Sequence, residues 1–339
     1  LAVVWLERDT ESPVLPEGDR HALLKQIVTG DKSVILQSAC AERRSFARPA
    51  LRPILVAGMV AAALAALPYL PVLAQPFVSD DYIQIALGRK YGPAEAWSAL
   101  LGDALYRCRA TSIVITLWTE RLFGTEPWPY YATSVLVHVL NSLLVWAVGW
   151  RLGLGLWRSW AAAAFFGVYL GHQEAVMWYA ALPELLVFFF SGLFLLHWDA
   201  FARRGHARDY ALSALWFVLA LGSKESGVVL VPAAALLAWR RGRNILAVAP
   251  LAVAAAAYAW AIFAAKADHL HLNDGTFSLH APFVPTWARS IGRMFWVWGL
   301  LATVAIAVWR RPLWRGLRVP AIWIAIALLP YSFLLYMPV

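Results

Sequence analysis

Residues 129–150 read Pro-Tyr-Tyr-Ala-Thr-Ser-Val-Leu-Val-His-Val-Leu-Asn-Ser-Leu-Leu-Val-Trp-Ala-Val-Gly-Trp, without one Asp, Glu, Lys or Arg, and Arg151 follows at once. At about 1.5 Å of rise per residue, a helix over this stretch covers the roughly 30 Å of hydrocarbon in a bilayer. A helix also satisfies its own backbone polar groups, which lipid cannot do. The same kind of block recurs along the chain. Its 339 residues are 61% hydrophobic and 14% charged, with a mean hydropathy of +0.61. A water-soluble domain has no means of hiding that much apolar surface. The fold class expected is therefore all-α, a polytopic transmembrane helical bundle.

Nine spans are expected, at 54–75, 129–150, 157–171, 180–200, 210–222, 226–239, 245–265, 287–309 and 319–338. Between the first two, the pieces 82–90, 94–104 and 111–123 alternate apolar and polar positions at helical spacing, as amphipathic helices lying along the interface do. Residues 1–52 hold 15 of the 49 charged residues in mixed sign and read as a cytoplasmic tail, in part disordered; residues 53–339 form the transmembrane domain. The chain opens on Leu1 and its last apolar span runs into Val339, so truncation at either end, and a tail that is not native coding sequence, are part of the expectation.

Orientation follows from Lys and Arg, which are retained on the cytoplasmic side of short loops. Every second connection is basic. Arg43, Arg44, Arg48 and Arg52 precede the first span, and Arg151 and Arg158 follow the second. Arg203, Arg204 and Arg208 follow the fourth, Arg240, Arg241 and Arg243 the sixth, and Arg310, Arg311, Arg315 and Arg318 the eighth, so that 16 basic residues face only Asp199 and Asp209. The alternate connections carry most of the remaining acids. This places the N-terminus inside and the acidic loops outside, and it assigns the net charge of +9 to membrane topology rather than to nucleic acid. Trp128, Tyr130, Tyr131, Trp178, Tyr179, Trp287 and Trp309 stand at span ends as an aromatic belt. Two cysteines, Cys40 and Cys108, far apart, indicate neither a disulfide framework nor a Cys-based zinc site.

Polar residues able to carry chemistry gather in the acidic connections. Phe77-Val78-Ser79-Asp80-Asp81-Tyr82 follows the first span. Two adjacent carboxylates at a membrane boundary repel, which suits one of them to act as a general base, although a solvated acidic loop is the plain alternative. Gly171-His172-Gln173-Glu174 closes the third span, and His172 and Glu174 can each act as acid, base, ligand or hydrogen-bond partner. Ser223-Lys224-Glu225-Ser226-Gly227 sets two charges between very short apolar stretches, a costly placement unless they are paired or face a polar cavity. A tight exposed hairpin with a salt bridge is the alternative there. Arg107 and Arg109 share the outer loop of the Asp pair, where guanidinium groups bind phosphate bidentately or meet lipid headgroups. His269, His271 and His280 follow the seventh span without a third metal ligand fixed by spacing.

Taken together, Phe-x-Ser-Asp-Asp-Tyr at 77–82, Tyr106-x-x-Arg109, Leu122-Phe123-Gly124, His138-x-x-Asn141, His172-x-Glu174-Ala175-Val176 and Ser223-Lys224-Glu225 resemble the C-type (GT-C) membrane glycosyltransferases. Closest in pattern are the bacterial relatives of protein O-mannosyltransferases and of the transmembrane tetratricopeptide-repeat mannosyltransferases. The likeness runs from about residue 54 onward. It departs at Ala110, where the family has Pro after the Arg, and at Tyr169-Leu170, where the family has His-Pro.

The resemblance implies a hexosyl- or pentosyltransferase of the bacterial inner membrane. Such an enzyme moves a sugar from a polyprenyl-phosphate donor to a protein, lipid or glycan acceptor on the outer face, usually with inversion. Asp80 then matches the family's base and Asp81 its acidic neighbour. Arg109, Lys224 and Arg107 are expected near the donor phosphate, with His172, Glu174 and Glu225 supporting. Two carboxylates favour Mg²⁺ or Mn²⁺, although the sequence fixes no metal. A transporter or flippase for a lipid-linked or anionic substrate is the other class to which charges between short helices point.

Overall fold

The computed structural model describes residues 51–92, 94–264, 278, 280–309 and 314–333. The tail at 1–50, and His269 and His271, lie outside the described residues. The chain divides into two compact units, 6–59 and the remainder; of the first, residues 51–59 are described and are helix.

All regular structure among the described residues is α or 3-10 helix. In chain order the helices are α1 (Leu51–Ala66), α2 (Asp81–Lys90), α3 (Ala96–Gly102), α4 (Ala104–Phe123), α5 (Pro127–Arg151), α6 (Leu156–Val168), α7 (Gln173–Met177), α8 (Leu182–Arg204), α9 (Ala207–Leu221), α10 (Leu230–Arg240), α11 (Ala249–Ala264), α12 (Phe283–Trp309) and α13 (Trp314–Leu328). Short 3-10 turns at Leu67–Ala74, Tyr179–Ala181, Glu225–Val229 and Ile245–Val248 extend or join them.

Among the described residues four helical stretches are long and apolar enough to cross a membrane: Arg52–Ala74, Pro127–Arg151, Tyr179–Arg204 and Ile245–Ala264. A fifth counts if Phe283–Val297 and Gly299–Val308, bent by 79° around Trp296, are one span. The expected nine spans thus become four or five of full length. Within the described residues all nine apolar blocks are mainly helical, but α6 has 13 residues, α9 has 15, α10 has 11 and α13 has 15. An 11- to 15-residue helix is about 16 to 22 Å long, short of a hydrocarbon layer. Periodicity marks such pieces as apolar helices but leaves their length open.

The short helices run beside the long ones. Trp146 Nε1 donates to Leu156 O at 3.1 Å, Ser142 Oγ to Ala163 O at 2.9 Å, and the His138 ring meets Gly167 O at 3.1 Å, so α6 is antiparallel to α5 in register. Asn141 Nδ2 donates to Leu185 O at 2.9 Å and ties α5 to α8. Spending side-chain donors on neighbouring carbonyls is how helices adhere where no water competes. Gly167 lets α6 approach closely, since a Cβ there would stand 3.0 Å from Ala65 Cβ.

Along α8, Phe194 faces Phe217 and Trp198 faces Tyr210, whereas near its start Lys224 reaches Glu184. Helix α9 with residues 222–224 therefore runs the length of α8. The chain then returns through α10, where Ala234 O accepts from Trp198 Nε1 and Arg241 meets Asp199. The bundle accordingly has an arginine-rich end around Asp199 and an opposite end around Asp81, Glu184 and Lys224.

The pieces expected as interfacial helices in the first long connection are α2, α3 and α4. Of these α4 is more than a surface element. Its Ser112, Ile113 and Thr116 are fully buried, and it connects the groups described next.

Candidate functional site

The site begins at the turn after the first long helix. Phe77 is anchored edge-on against Tyr130, with centroids 5.1 Å apart, and Pro76 O accepts from Tyr131 OH at 2.9 Å. Within the turn Ser79 takes a φ of +44°. A non-glycine residue in this region is strained, and such strain persists where the surroundings over-determine it. Here Val78 O accepts from Asp81 N at 3.0 Å while Asp81 Oδ2 accepts from Val78 N at 3.1 Å, pinching the chain on both sides of Ser79.

The two adjacent carboxylates have unlike environments. Asp81 is completely buried; its Oδ1 accepts from Ala180 N at 2.8 Å, and its Oδ2 accepts from Tyr131 OH at 2.9 Å as well as from Val78 N. Both oxygens thus hold the turn against α5 and the start of α8. Asp80 is exposed, and its only side-chain hydrogen bond among the described residues comes from Ser79 Oγ at 3.2 Å. The expected repulsion is relieved by separation, one carboxylate facing inward and the other outward. Among the described residues no group of three or more His, Cys, Asp or Glu is placed to hold a metal.

From α2 a polar path crosses α4. Gln84 Nε2 donates to Ser112 Oγ at 3.2 Å and to Thr116 Oγ1 at 3.3 Å, and Thr116 shares a hydrogen bond of 2.7 Å with Tyr179. Thr111 and Ser223 share another of 2.7 Å. Two residues earlier on α4, Arg109 Nη1 donates to Glu225 Oε2 at 2.7 Å and to Cys108 O at 2.7 Å. Lys224 is ion-paired with Glu184, and its ammonium stands 5.9 Å over the Tyr331 ring. Two cations and two carboxylates thus form a mutually neutralised quartet. Glu184 lies one helical turn beyond Ala180, the residue that holds Asp81, so the turn bearing Asp80 and the quartet occupy the same end of the bundle.

Electrostatics follow from burial and pairing. Burial alone would raise the Glu225 carboxyl, but the charge and hydrogen bond of Arg109, with help from Lys224, bring it down to about 2. Burial and then the charge of Arg109 press the Lys224 ammonium below its ordinary value. The charge of Glu225 opposes both, and the ammonium is ion-paired with Glu184. Burial, then the Glu225 charge, push the Cys108 thiol up to about 11, which makes it a poor nucleophile.

Other expected residues fall elsewhere. Arg107 donates to Leu100 O at 3.1 Å and Ala261 O at 3.3 Å, so its guanidinium ties α4 to α3 and α11. His172 sits among rings, 4.3 Å from Phe166, 5.4 Å from Tyr169 and 5.6 Å from His138. Burial, and then His138, press it down to about 4, so it is neutral at pH 7. Glu174 is exposed on α7. Among the described residues, no hydrogen bond or ion pair joins either of them to the Asp turn or the quartet. Glu184 and Tyr331 join the site only through the fold; an acid placed one turn into an apolar span is the signal the sequence offers for Glu184.

No family model, curated protein or solved structure matches the chain.

Proposed function

We propose that the chain is a membrane glycosyltransferase of the GT-C type, moving a sugar from a polyprenyl-phosphate donor to an acceptor on the outer face of a bacterial inner membrane. The observation that carries this reading is that Asp80, an exposed carboxylate on a strained turn, shares one end of the bundle with Arg109 and Lys224. In this reading Asp80 accepts the proton of the acceptor hydroxyl as that oxygen bonds to the anomeric carbon. The bond from that carbon to the phosphate oxygen breaks, and polyprenyl phosphate departs with the electron pair. Arg109 and Lys224 stabilise its charge by exchanging Glu225 and Glu184 for phosphate oxygens. Their resting partners keep both guanidinium and ammonium in place and desolvated until the donor arrives.

A second reading, a transporter or flippase for a lipid-linked or anionic substrate, is favoured by one observation: both cations are already neutralised, as in a site that exchanges partners while a substrate passes. Asp80→Asn separates the two readings. As a glycosyltransferase, the variant loses about 10²- to 10⁴-fold in sugar transfer while inserting and folding normally. Full retained transfer would remove Asp80 as base, and substrate movement without transfer would favour the second reading.

A further inference from the structure

At the end of the bundle opposite the Asp turn, three helix C-termini converge on one buried carboxylate. Asp199 of α8 is completely buried; its Oδ1 meets Arg241 Nε at 2.9 Å and Nη2 at 2.8 Å, and its Oδ2 meets Arg203 Nε at 2.8 Å and Arg151 Nε at 3.3 Å. Arg203 Nη2 also donates to Arg151 O at 2.9 Å, closing the cluster between α5 and α8. Three positive charges thus meet one negative charge. A single carboxylate gathers three guanidinium groups, hydrogen-bonding that of Arg241 and pairing with the other two by charge alone, and leaves two positive charges in excess for an anion to complete.

The cluster is built to present donors. The Nη groups of Arg151, and Nη1 of Arg203 and of Arg241, have no hydrogen-bond partner among the described residues. The three side chains remain 38%, 35% and 28% exposed while their Nε atoms turn inward to Asp199. The cluster also lies at the rim of apolar helices long enough to span a bilayer, where a headgroup phosphate sits. We infer that Arg151, Arg203 and Arg241, positioned by Asp199, form a binding site for the phosphodiester headgroup of an anionic phospholipid. Asp199 lies about 22 Å along α8 from Glu184, so this site is separate from the Asp80 end and does not depend on the transfer reaction. A phosphodiester offers two anionic oxygens to the outward Nη groups, and its acyl chains lie along the neighbouring helix surfaces.

The test is native mass spectrometry of the purified full chain, which counts lipid on intact folded molecules only. Phosphatidylglycerol and phosphatidylcholine with identical acyl chains are offered in competition. The wild type is expected to retain phosphatidylglycerol preferentially, and Arg151→Gln and Arg203→Gln are each expected to lower the preference by about fivefold. Arg208→Gln, at the same end but outside the cluster, should leave it unchanged. Equal retention of the two lipids by the wild type, or an unaltered preference in both cluster variants, overturns the site. Displacement of phosphatidylglycerol by inorganic phosphate at submillimolar concentration would reassign the cluster to a soluble phosphate and overturn the lipid assignment.

Discussion

Replacing Asp81 by alanine should be among the most damaging single changes in the bundle, although its neighbour Asp80 should tolerate substitution without loss of stability. Asp81→Ala deletes the acceptor for three donors: Tyr131 OH at 2.9 Å, Ala180 N at 2.8 Å and Val78 N at 3.1 Å. Each donor left unpaired in a buried place costs about 1–3 kcal/mol. Relaxation of the turn lets the Val78 amide reach solvent, which leaves two full penalties and predicts a loss of about 2–6 kcal/mol. Tyr131→Phe removes one donor together with part of the carboxylate's satisfaction and should cost about 1–2 kcal/mol. Asp80→Ala affects an exposed group whose side chain, among the described residues, is hydrogen-bonded only to Ser79, and should stay within about 0.5 kcal/mol. Reversible unfolding in mixed micelles, titrated with denaturing detergent, reads all three. A cost for Asp81→Ala below about 1 kcal/mol, or equal costs for the two aspartates, would refute the division of labour between them.

Three further outcomes follow from the geometry. Glu225, held at about 2, stabilises the fold through Arg109 fully above the ordinary carboxylate value and loses that contribution as pH falls toward 2; the melting advantage of wild type over Glu225→Gln should therefore be constant from pH 7 to 5 and shrink only below. An advantage already gone at pH 5.5 would contradict the pairing. Gly167→Ala puts a methyl 3.0 Å from Ala65 Cβ and 3.1 Å from Ala65 Cα, and should cost about 1–3 kcal/mol in the same detergent titration, whereas Gly292→Ala meets nothing within 4 Å and serves as the silent control. His172, pressed down to about 4, should contribute no titration near pH 6 to any activity, and His172→Phe should keep the pH profile of the wild type above pH 5.

Much of this arrangement was readable in residue order. Lys224 and Glu225 between short apolar stretches implied charges that had to be paired or enclosed, and they are. What could not be read was the partner: Glu225 finds Arg109 and Lys224 finds Glu184, both remote in sequence, because α4 and α8 are brought beside residues 222–225 only by folding. Asp80 and Asp81 look interchangeable in sequence; Tyr131 and Ala180, supplied by other elements, set them apart. Arg107 carries the same chemistry as Arg109, yet helix phase turns it toward backbone carbonyls. Apolar periodicity located all nine helical blocks but not their lengths, because short helices packed side by side bury the same apolar face as long ones.

The central claim is that the groups at the Asp80 end break a sugar–phosphate bond. The direct measurement is mass spectrometry of lipid and acceptor after incubating the purified chain, in bilayer discs, with a polyprenyl-phosphate sugar and membrane-derived acceptors. The account predicts free polyprenyl phosphate appearing in step with glycosylated acceptor in the wild type, and neither with Asp80→Asn. An intact donor recovered beside unmodified acceptor, or transfer supported only by soluble nucleotide sugars, would contradict it.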